Sequence, residues 1–148
     1  MITSEIPKNV KDITFVIVRD GKLLMQQRTA TNAKGEPIRY PEAWCIPGGG
    51  MEDVDQGIPL NCVIREVLEE YGLNVTGRNC QYITMYEHDR TETSVDIDAV
   101  FIVTIGDQEP TLKEGKAFAW KTLVELGELK LGFEQERLLP ILAQYIPR

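Results

Sequence analysis

The feature that most constrains the fold is a helical repeat of apolar residues between Ile58 and Tyr71. Apolar side chains recur there at three- and four-residue spacing, the pattern of a helix with one buried stripe. Pro59 suits the first turn, where its missing N–H does no harm, and Gly72 is a typical C-terminal stop. The stripe comprises Leu60, Val63, Ile64, Val67 and Tyr71. The sequence therefore predicts one well-formed amphipathic helix.

Strand signals lie on both sides of this helix. Asp20-Gly21 separates two runs rich in apolar and β-branched residues and predicts a hairpin. The run from Ala99 to Val103 is apolar throughout, which predicts a strand buried on both faces. The predicted strands are Ile13 to Val18, Leu23 to Arg28, Trp44 to Ile46, Gln81 to Tyr86, Val95 to Ile105 and Phe118 to Trp120.

The remaining segments are predicted to connect these elements. Thr29 to Pro41 lacks a clean period and is interpreted as a solvent-exposed loop. Pro47 to Gly50 is interpreted as a glycine-rich turn that ends the preceding strand. His88 to Thr93 is interpreted as a polar turn, which places the only histidine at the surface. Phe133 to Tyr145 predicts a closing helix that is kinked or broken at Pro140.

Length and charge limit the class of protein and its partners. The 148 residues suit one α/β domain over 1–148, with 16 Lys and Arg against 23 Asp and Glu and a net charge of −7. Such a surface repels DNA and RNA, whereas a small phosphorylated ligand is compatible when a divalent cation inverts the local field. No apolar run suits a membrane span. Three cysteines without metal-binding spacing fit buried thiols in a reducing cytoplasm.

Glu66, Glu69 and Glu70 are the first signal of chemistry. At about 100° per residue they fall within roughly one third of the helix circumference, opposite the buried stripe. Three carboxylates at this spacing repel one another, and locally only Arg65, one turn before Glu69, offsets them. A magnesium ion, which prefers oxygen ligands, would supply the compensation, and a solvated acidic helix face is the alternative. The glycines before the helix favour the first interpretation, because they let backbone N–H groups approach a phosphate.

The segment from Gly49 to Leu73 resembles the signature box of the Nudix hydrolases. Arg65-Glu66-Val67-Leu68-Glu69-Glu70-Tyr71-Gly72-Leu73 matches the family pattern Arg-Glu-apolar-x-Glu-Glu-x-Gly-apolar at each specified position. The resemblance extends to the hairpin ending in Gln26-Gln27-Arg28, to Trp44-x-x-Pro47-Gly48-Gly49, to the Phe101 strand, and to Lys113-Glu114-Gly115 followed by Trp120. It implies an α/β/α sandwich with a central mixed β-sheet.

The resemblance also implies a reaction, the attack of water on phosphorus in a diphosphate linkage. Mg²⁺ would be the cofactor, with Mn²⁺ as a substitute. Glu66 and Glu70 would be metal ligands, and Gly49 would add a backbone atom to the metal shell. Glu69 would be a ligand or the general base. Glu114 lies in a loop similar to that of the mutator-type nucleoside triphosphate hydrolases and would be a ligand or base, with a surface carboxylate as the alternative.

Other residues are candidates for orientation and for substrate contact. Arg65 would orient a glutamate through an ion pair and so act in catalysis without touching substrate. Gly48 and Gly49 are candidates for phosphate contact. Arg28 is a third candidate, the alternative being an exposed charge at a strand end. Trp44 is a candidate for stacking on a base, with the hydrophobic core as its alternative.

The first half of the box departs from the family pattern. Gly49 and Arg65 lie sixteen positions apart, two more than in the pattern. Asp55 is the nearest chemical substitute for the first glutamate of the pattern, and Glu52 and Asp53 are also available. We expect the insertion to lengthen the loop before the helix and to leave the helix intact.

The substrate is narrowed by elimination. Sequence features typical of ADP-ribose, diadenosine polyphosphate, coenzyme A and NADH hydrolases are missing from their expected positions, which favours a nucleoside triphosphate, oxidised or not, giving the monophosphate and pyrophosphate. A nucleotide-sugar or dinucleotide hydrolase and a non-catalytic nucleotide-binding module are the alternatives. An isopentenyl diphosphate isomerase, which shares the fold, would need a histidine-rich metal site. The resemblance also allows a homodimer.

Overall fold

The computed structural model describes residues 10–91, 93–113 and 117–146. Its strands are β1 (Asp12–Arg19), β2 (Lys22–Gln27), β3 (Trp44–Cys45), β4 (Gly48–Gly50), β5 (Cys80–Thr91), β6 (Ser94–Thr104) and β7 (Ala117–Lys121). Its α-helices are α1 (Pro59–Tyr71), α2 (Leu123–Leu126) and α3 (Leu139–Leu142). Short 3-10 turns occur at Asp53–Asp55, Gly77–Asn79 and Gln135–Leu138.

The seven strands form one mixed sheet. Its path runs β3-β2-β1-β6-β5, with β4 paired to β1 and β7 paired to β2. The predicted hairpin joins β1 to β2, and both Asp20 and Gly21 adopt the positive φ that a tight two-residue turn needs. The pairing of β1 with β6 is parallel, with Phe15 opposite Phe101, while β6 and β5 form a long antiparallel hairpin.

Helices cover both faces of this sheet. Alternate residues of β1 point to opposite sides, so Phe15 packs in the layer with α1 while Val16 packs in the layer with α2 and α3. The predicted α/β sandwich with a central mixed sheet is therefore confirmed. The central residues of β6 are buried on both faces, as their unbroken apolar run predicted. Among the described residues, no helix has the length and apolarity needed to cross a bilayer.

Two predicted turns are strands. Gly48–Gly50 pairs antiparallel with β1, and a Cβ placed on Gly48 would lie 2.5 Å from the carbonyl oxygen of Ile13. The glycines therefore permit close backbone approach within a sheet. The predicted turn from His88 to Thr93 is also wrong, because β5 continues through Thr91 and His88 pairs with Asp96 on β6. Polar residues mark this end of the hairpin because several of them face a cavity.

The segment from Phe133 to Tyr145, predicted as a helix kinked or broken at Pro140, is broken into short turns, and its first two residues are not helical. Phe133 and Glu134 both have positive φ, which excludes them from a right-handed helix. The chain then forms a 3-10 turn at Gln135–Leu138 followed by α3. Pro140 lies in the first turn of α3, where its missing N–H costs no hydrogen bond.

Candidate active site

Arg65 is the centre of an ion-pair cluster on the side of α1 that faces β4. Its Nη1 lies 2.6 Å from Glu52 Oε2, 2.9 Å from Glu66 Oε1 and 3.1 Å from Glu69 Oε2. Its Nη2 also donates to the carbonyl oxygen of Gly50 at 3.0 Å. This guanidinium thus orients two of the three box glutamates, and its role in catalysis stays a prediction.

Asp55 completes the cluster from the inserted loop. Arg65 Nε donates to Asp55 Oδ1 at 2.9 Å and Nη2 donates to Oδ2 at 2.8 Å, a bidentate pair whose carboxylate is only 2% exposed. The hydrogen bond from Arg65 holds the pKa of Asp55 below its usual range. Gln56 and Gly57, which follow, have positive φ and turn the chain into α1. The longer loop therefore leaves α1 intact and supplies an anchor for Arg65.

The three box glutamates differ in exposure. Glu66 and Glu70 are buried, at 9% and 8%, whereas the side chain of Glu69 is 56% exposed. The solvated acidic face considered as an alternative is therefore wrong for two of the three. Their predicted position opposite the buried stripe is wrong as well, because Glu66 and Glu70 are buried together with Val63. Burial raises the pKa of Glu66, although Arg65 and Glu70 both form hydrogen bonds with its carboxyl group. A Cβ on Gly49 would lie 2.4 Å from Glu66 Cδ, so Gly49 lies directly against this carboxyl group.

The donor set of this cluster fits a hard dication. Among the described residues, Glu52, Glu66 and Glu69 each offer a carboxylate oxygen, and the three oxygens lie within 4.8 Å of one another. Oxygen-only ligands suit Mg²⁺ or Mn²⁺. Glu52 joins this group in place of Glu70, which lines the neighbouring cavity. Glu114, the predicted fourth acidic ligand, lies outside the described residues.

A cavity of about 310 Å³ opens beside β4. Arg28, Gly48, Gly49 and Glu70 line it, so the structure brings four of the predicted site residues to one space. Trp44 is not among the lining residues. It alternates with Cys45, which does line the cavity, and Trp44 packs instead against the core beside α2 and α3. Trp44 therefore belongs to the hydrophobic core, which was the alternative to stacking on a base.

The wall of the cavity opposite β4 holds a buried polar network. His88 Nε2 lies 3.0 Å from Asp98 Oδ1, and Thr14 Oγ1 donates to Asp98 Oδ2 at 2.8 Å. His88 and Asp98 are only 8% and 7% exposed, so the surface position expected for His88 is wrong. A sequence signal for this wall exists, since Asp96 and Asp98 alternate with apolar residues in a strand.

Aromatic rings complete the wall. The ring of His88 lies 5.1 Å from that of Tyr86 and 5.6 Å from that of Phe133, measured between centroids. Arg28 Cζ lies 4.9 Å above the ring of Phe133. The sequence predicted Phe133 only as part of a helix. In the structure it has a positive φ, and its side chain lines the cavity. Gln135 anchors this loop, because its side chain accepts from the N–H of Ile46 and donates to the same residue's carbonyl.

A carboxylate cluster against a glycine strand, next to a polar and aromatic cavity, is the arrangement expected of a protein class that handles phosphate esters or anhydrides with a divalent cation. Comparison with known families gives the particular family. The model of the NUDIX domain matches residues 10–145, and the chain therefore belongs to the Nudix family. The predicted resemblance to the Nudix family is therefore confirmed.

Known relatives span several specificities. Diphosphoinositol polyphosphate phosphohydrolase 3-alpha of Mus musculus is 29% identical over 109 residues, which cover 74% of this chain and 58% of the relative. The chain thus spans only about half the length of such curated relatives. A MutT NUDIX hydrolase from Burkholderia pseudomallei superposes with a TM-score of 0.70 at 22% identity, covering 87% of this chain and 94% of that one.

A second solved structure has a different ligand. The NUDIX domain of Shewanella oneidensis NrtR, complexed with ADP ribose, superposes with a TM-score of 0.71 at 14% identity over 95% of this chain and 90% of that one. At such identities the likeness shows the fold alone. The relatives therefore support the family and do not select one substrate.

Proposed function

We propose that this chain hydrolyses a nucleoside triphosphate, oxidised or not, to the monophosphate and pyrophosphate with the help of Mg²⁺ or Mn²⁺. One observation carries the proposal. Gly49 lies against the carboxyl group of Glu66 and also lines the cavity that holds Tyr86 and Phe133. Carboxylates suited to a cation and a slot suited to a planar base are therefore neighbours across a single strand.

The reaction adds water across one phosphoanhydride bond. The water oxygen forms a bond to one of the two phosphorus atoms that the α,β-bridging oxygen joins, the P–O bond from that phosphorus to the bridging oxygen breaks, and the monophosphate and pyrophosphate separate. Glu69 is exposed enough to accept the proton of that water, and Arg65 holds its carboxylate at 3.1 Å. Gly49 leaves room for the carboxyl group of Glu66 beside the strand. Glu52, Glu66 and Glu69 would hold a divalent cation, which would offset the charge of the anhydride and lower the pKa of the attacking water.

The charge of the cavity supports a nucleotide. Among its described lining residues, Arg28 is the only Lys or Arg, while the carboxylates are Asp12, Glu70, Asp96 and Asp98. An inositol ring that carries phosphates on all sides needs several cations around it. A nucleotide instead carries its phosphates at one end, where the cation and Arg28 meet them, and presents a base with N–H donors at the other. The acidic and aromatic wall fits such a base.

A nucleotide sugar such as ADP ribose is the second candidate substrate. Asp96 and Asp98 line the cavity, and carboxylates accept hydrogen bonds from the hydroxyl groups of a sugar. The bound ADP ribose in the NrtR domain, which has the same fold, also supports this candidate. A non-catalytic nucleotide-binding module is less well supported, because Glu66, Glu69 and Glu70 are all present.

A substrate panel tests the proposal. The protein with Mg²⁺ is incubated with nucleoside triphosphates, ADP ribose, a dinucleotide and a diphosphoinositol polyphosphate, and released pyrophosphate and phosphate are measured. We expect the largest kcat/KM for a nucleoside triphosphate, with pyrophosphate as product. Turnover of only the inositol compound would refute the nucleotide assignment, and no turnover at all would refute hydrolysis.

The variant Glu69→Gln identifies the catalytic carboxylate. It removes the negative charge while keeping the size of the side chain, so kcat should fall by about 10²-fold or more. Glu128→Gln is the matched control, since Glu128 is exposed and lies outside the cavity lining. An equal kcat in both variants would exclude Glu69 as base or ligand.

A further inference from the structure

His88 faces a hydrogen-bond acceptor with each of its ring nitrogens. Nε2 lies 3.0 Å from the carboxylate oxygen Oδ1 of Asp98, and Nδ1 lies 3.1 Å from the carbonyl oxygen of Asp89. A backbone carbonyl only accepts, and the carboxylate already accepts from Thr14 through its other oxygen. A neutral imidazole has only one N–H and would leave one of these contacts without a proton. Both contacts are satisfied when each ring nitrogen carries a proton.

We propose that His88 is an imidazolium at neutral pH, and that its charge is a positioning element that sets how tightly the cavity binds the anionic substrate. The substrate part of this inference rests on the proposed function. Its physical basis is the pairing of His88 with Asp98: the imidazolium offsets the charge of this carboxylate, and without it the cavity wall would carry one more negative charge. Like charge in a partly desolvated cavity repels a polyphosphate.

The surroundings of the ring stabilise the charged form. The hydrogen bond to Asp98 raises the pKa of His88 above its ordinary value and outweighs the opposing effect of burial. The titratable and charged groups around the ring come from several parts of the chain, and they are Asp96 and Asp98 from β6, Tyr86 and Asp89 from β5, Asp12 from β1, Glu134 from the loop before α3, and Arg28, Arg39 and Tyr40 from the loop after β2. In that set Arg28 and Arg39 are the permanent cations, and Arg28 lies over the ring of Phe133 while Arg39 is ion-paired with Asp89. The charge that faces Nε2 directly is therefore the carboxylate of Asp98.

Nuclear magnetic resonance of the full chain tests the charge directly. Because His88 is the only histidine, the imidazole ¹⁵N signals belong to one residue without assignment. We expect both nitrogens to be protonated at pH 7 and the titration midpoint to lie above that of a free histidine, about 6.5. Asp98→Asn should lower the midpoint. A single protonated nitrogen at pH 7, or a midpoint that Asp98→Asn leaves unchanged, would overturn the proposal.

Binding of dATP tests the consequence for the substrate. The dissociation constant is measured with Mg²⁺ by calorimetry in the Glu69→Gln chain, one pH unit below and one above the NMR midpoint of His88. We expect binding about fivefold weaker at the higher pH, the size of effect that one charge exerts across a partly hydrated cavity. The double variant that combines Glu69→Gln with His88→Gln should bind dATP weakly at both pH values. The glutamine amide can still donate to Asp98 but carries no charge.

Two results would overturn the role in binding. Equal pH dependence in the chains with and without His88→Gln would mean that the ligand or another group titrates. The kinetic test uses a chain in which His88→Gln is the only substitution. If this variant changed kcat and left KM unchanged, His88 would act on the chemical step. If no nucleotide bound at all, the proposed function and the substrate part of this inference would both be wrong, while the NMR titration would still decide the charge of His88.

Discussion

Arg65 and His88 each lie beside carboxylates, Arg65 in the cluster next to the cavity and His88 in the wall of the cavity. Arg65 meets Asp55, Glu66 and Glu69, which lie within ten positions of it along the chain. The partners of His88 come from distant parts of the chain. Its partner Asp98 accepts from Thr14, which lies 84 positions away, and its ring packs against Phe133 from the loop before α3. A guanidinium keeps its charge at every accessible pH, whereas an imidazolium keeps it only while the pH stays below its pKa. The first cluster is therefore permanent and the second titratable.

Removal of Arg65 should have the largest effect on stability. Arg65→Ala leaves the carboxylate of Asp55 buried without its bidentate partner, which should lower the free energy of unfolding by about 3 kcal/mol. Arg137→Ala is the control, because the pair of Arg137 with Glu134 is exposed and lies at 3.5 Å. Urea denaturation of the two variants measures the difference. If both lost the same stability, Arg65 would be only a surface charge.

The dependence of the free energy of unfolding on acidic pH tests the Arg65 cluster through Asp55. The folded-state pKa of Asp55 is lowered, so its stabilisation is present above its unfolded pKa and is lost as the pH falls through the folded pKa. Asp55→Asn should remove this acid-dependent loss. The pH dependence of urea denaturation below pH 5 checks it, and an unchanged acid limb in Asp55→Asn would contradict it.

Alanine substitutions at two neighbouring glycines should have effects of intermediate size. We expect one of them to lower mainly stability and the other to lower mainly activity. A Cβ on Gly48 meets the backbone oxygen of Ile13, which cannot move without disturbing the sheet, so Gly48→Ala should cost about 1–3 kcal/mol of stability. A Cβ on Gly49 meets the flexible end of Glu66, so Gly49→Ala should displace this carboxyl group and lower kcat about tenfold or more with a smaller loss of stability. Denaturation and kinetics of both variants measure this, and the reverse ranking would show that Glu66 does not need its present position.

Titration of His88 should have the smallest effect on stability. Its folded-state pKa is raised, so its stabilisation is fully present below the unfolded pKa and is lost as the pH rises through the folded pKa. The stability difference between the native chain and His88→Gln should therefore shrink as the pH is raised from 6 to 9. A constant difference over that range would show that the ring does not change its charge there.

Much of the Arg65 side of the molecule follows from local sequence. The apolar stripe with Pro59 and Gly72 predicted α1, and the helix begins and ends as expected. The spacing of Glu69 from Arg65 predicted their ion pair. The order and pairing of the predicted strands, by contrast, could not be read from periodicity, because hydrogen bonds between β1 and β6 join residues more than eighty positions apart. The single domain, the cytoplasmic location, the homodimer and the role of Glu114 stay predictions.

The sequence by itself determined the helix, its carboxylates and the family, because helical periodicity, end signals and the signature box all lie within short stretches of chain. Only the tertiary structure decided that Glu66 and Glu70 are buried, that Gly48–Gly50 is a strand and that His88 lies in a cavity wall. The physical reason is the same each time. A polar side chain on a strand or helix has the same periodicity whether it faces solvent or a cavity, and only the packing of distant segments decides between them.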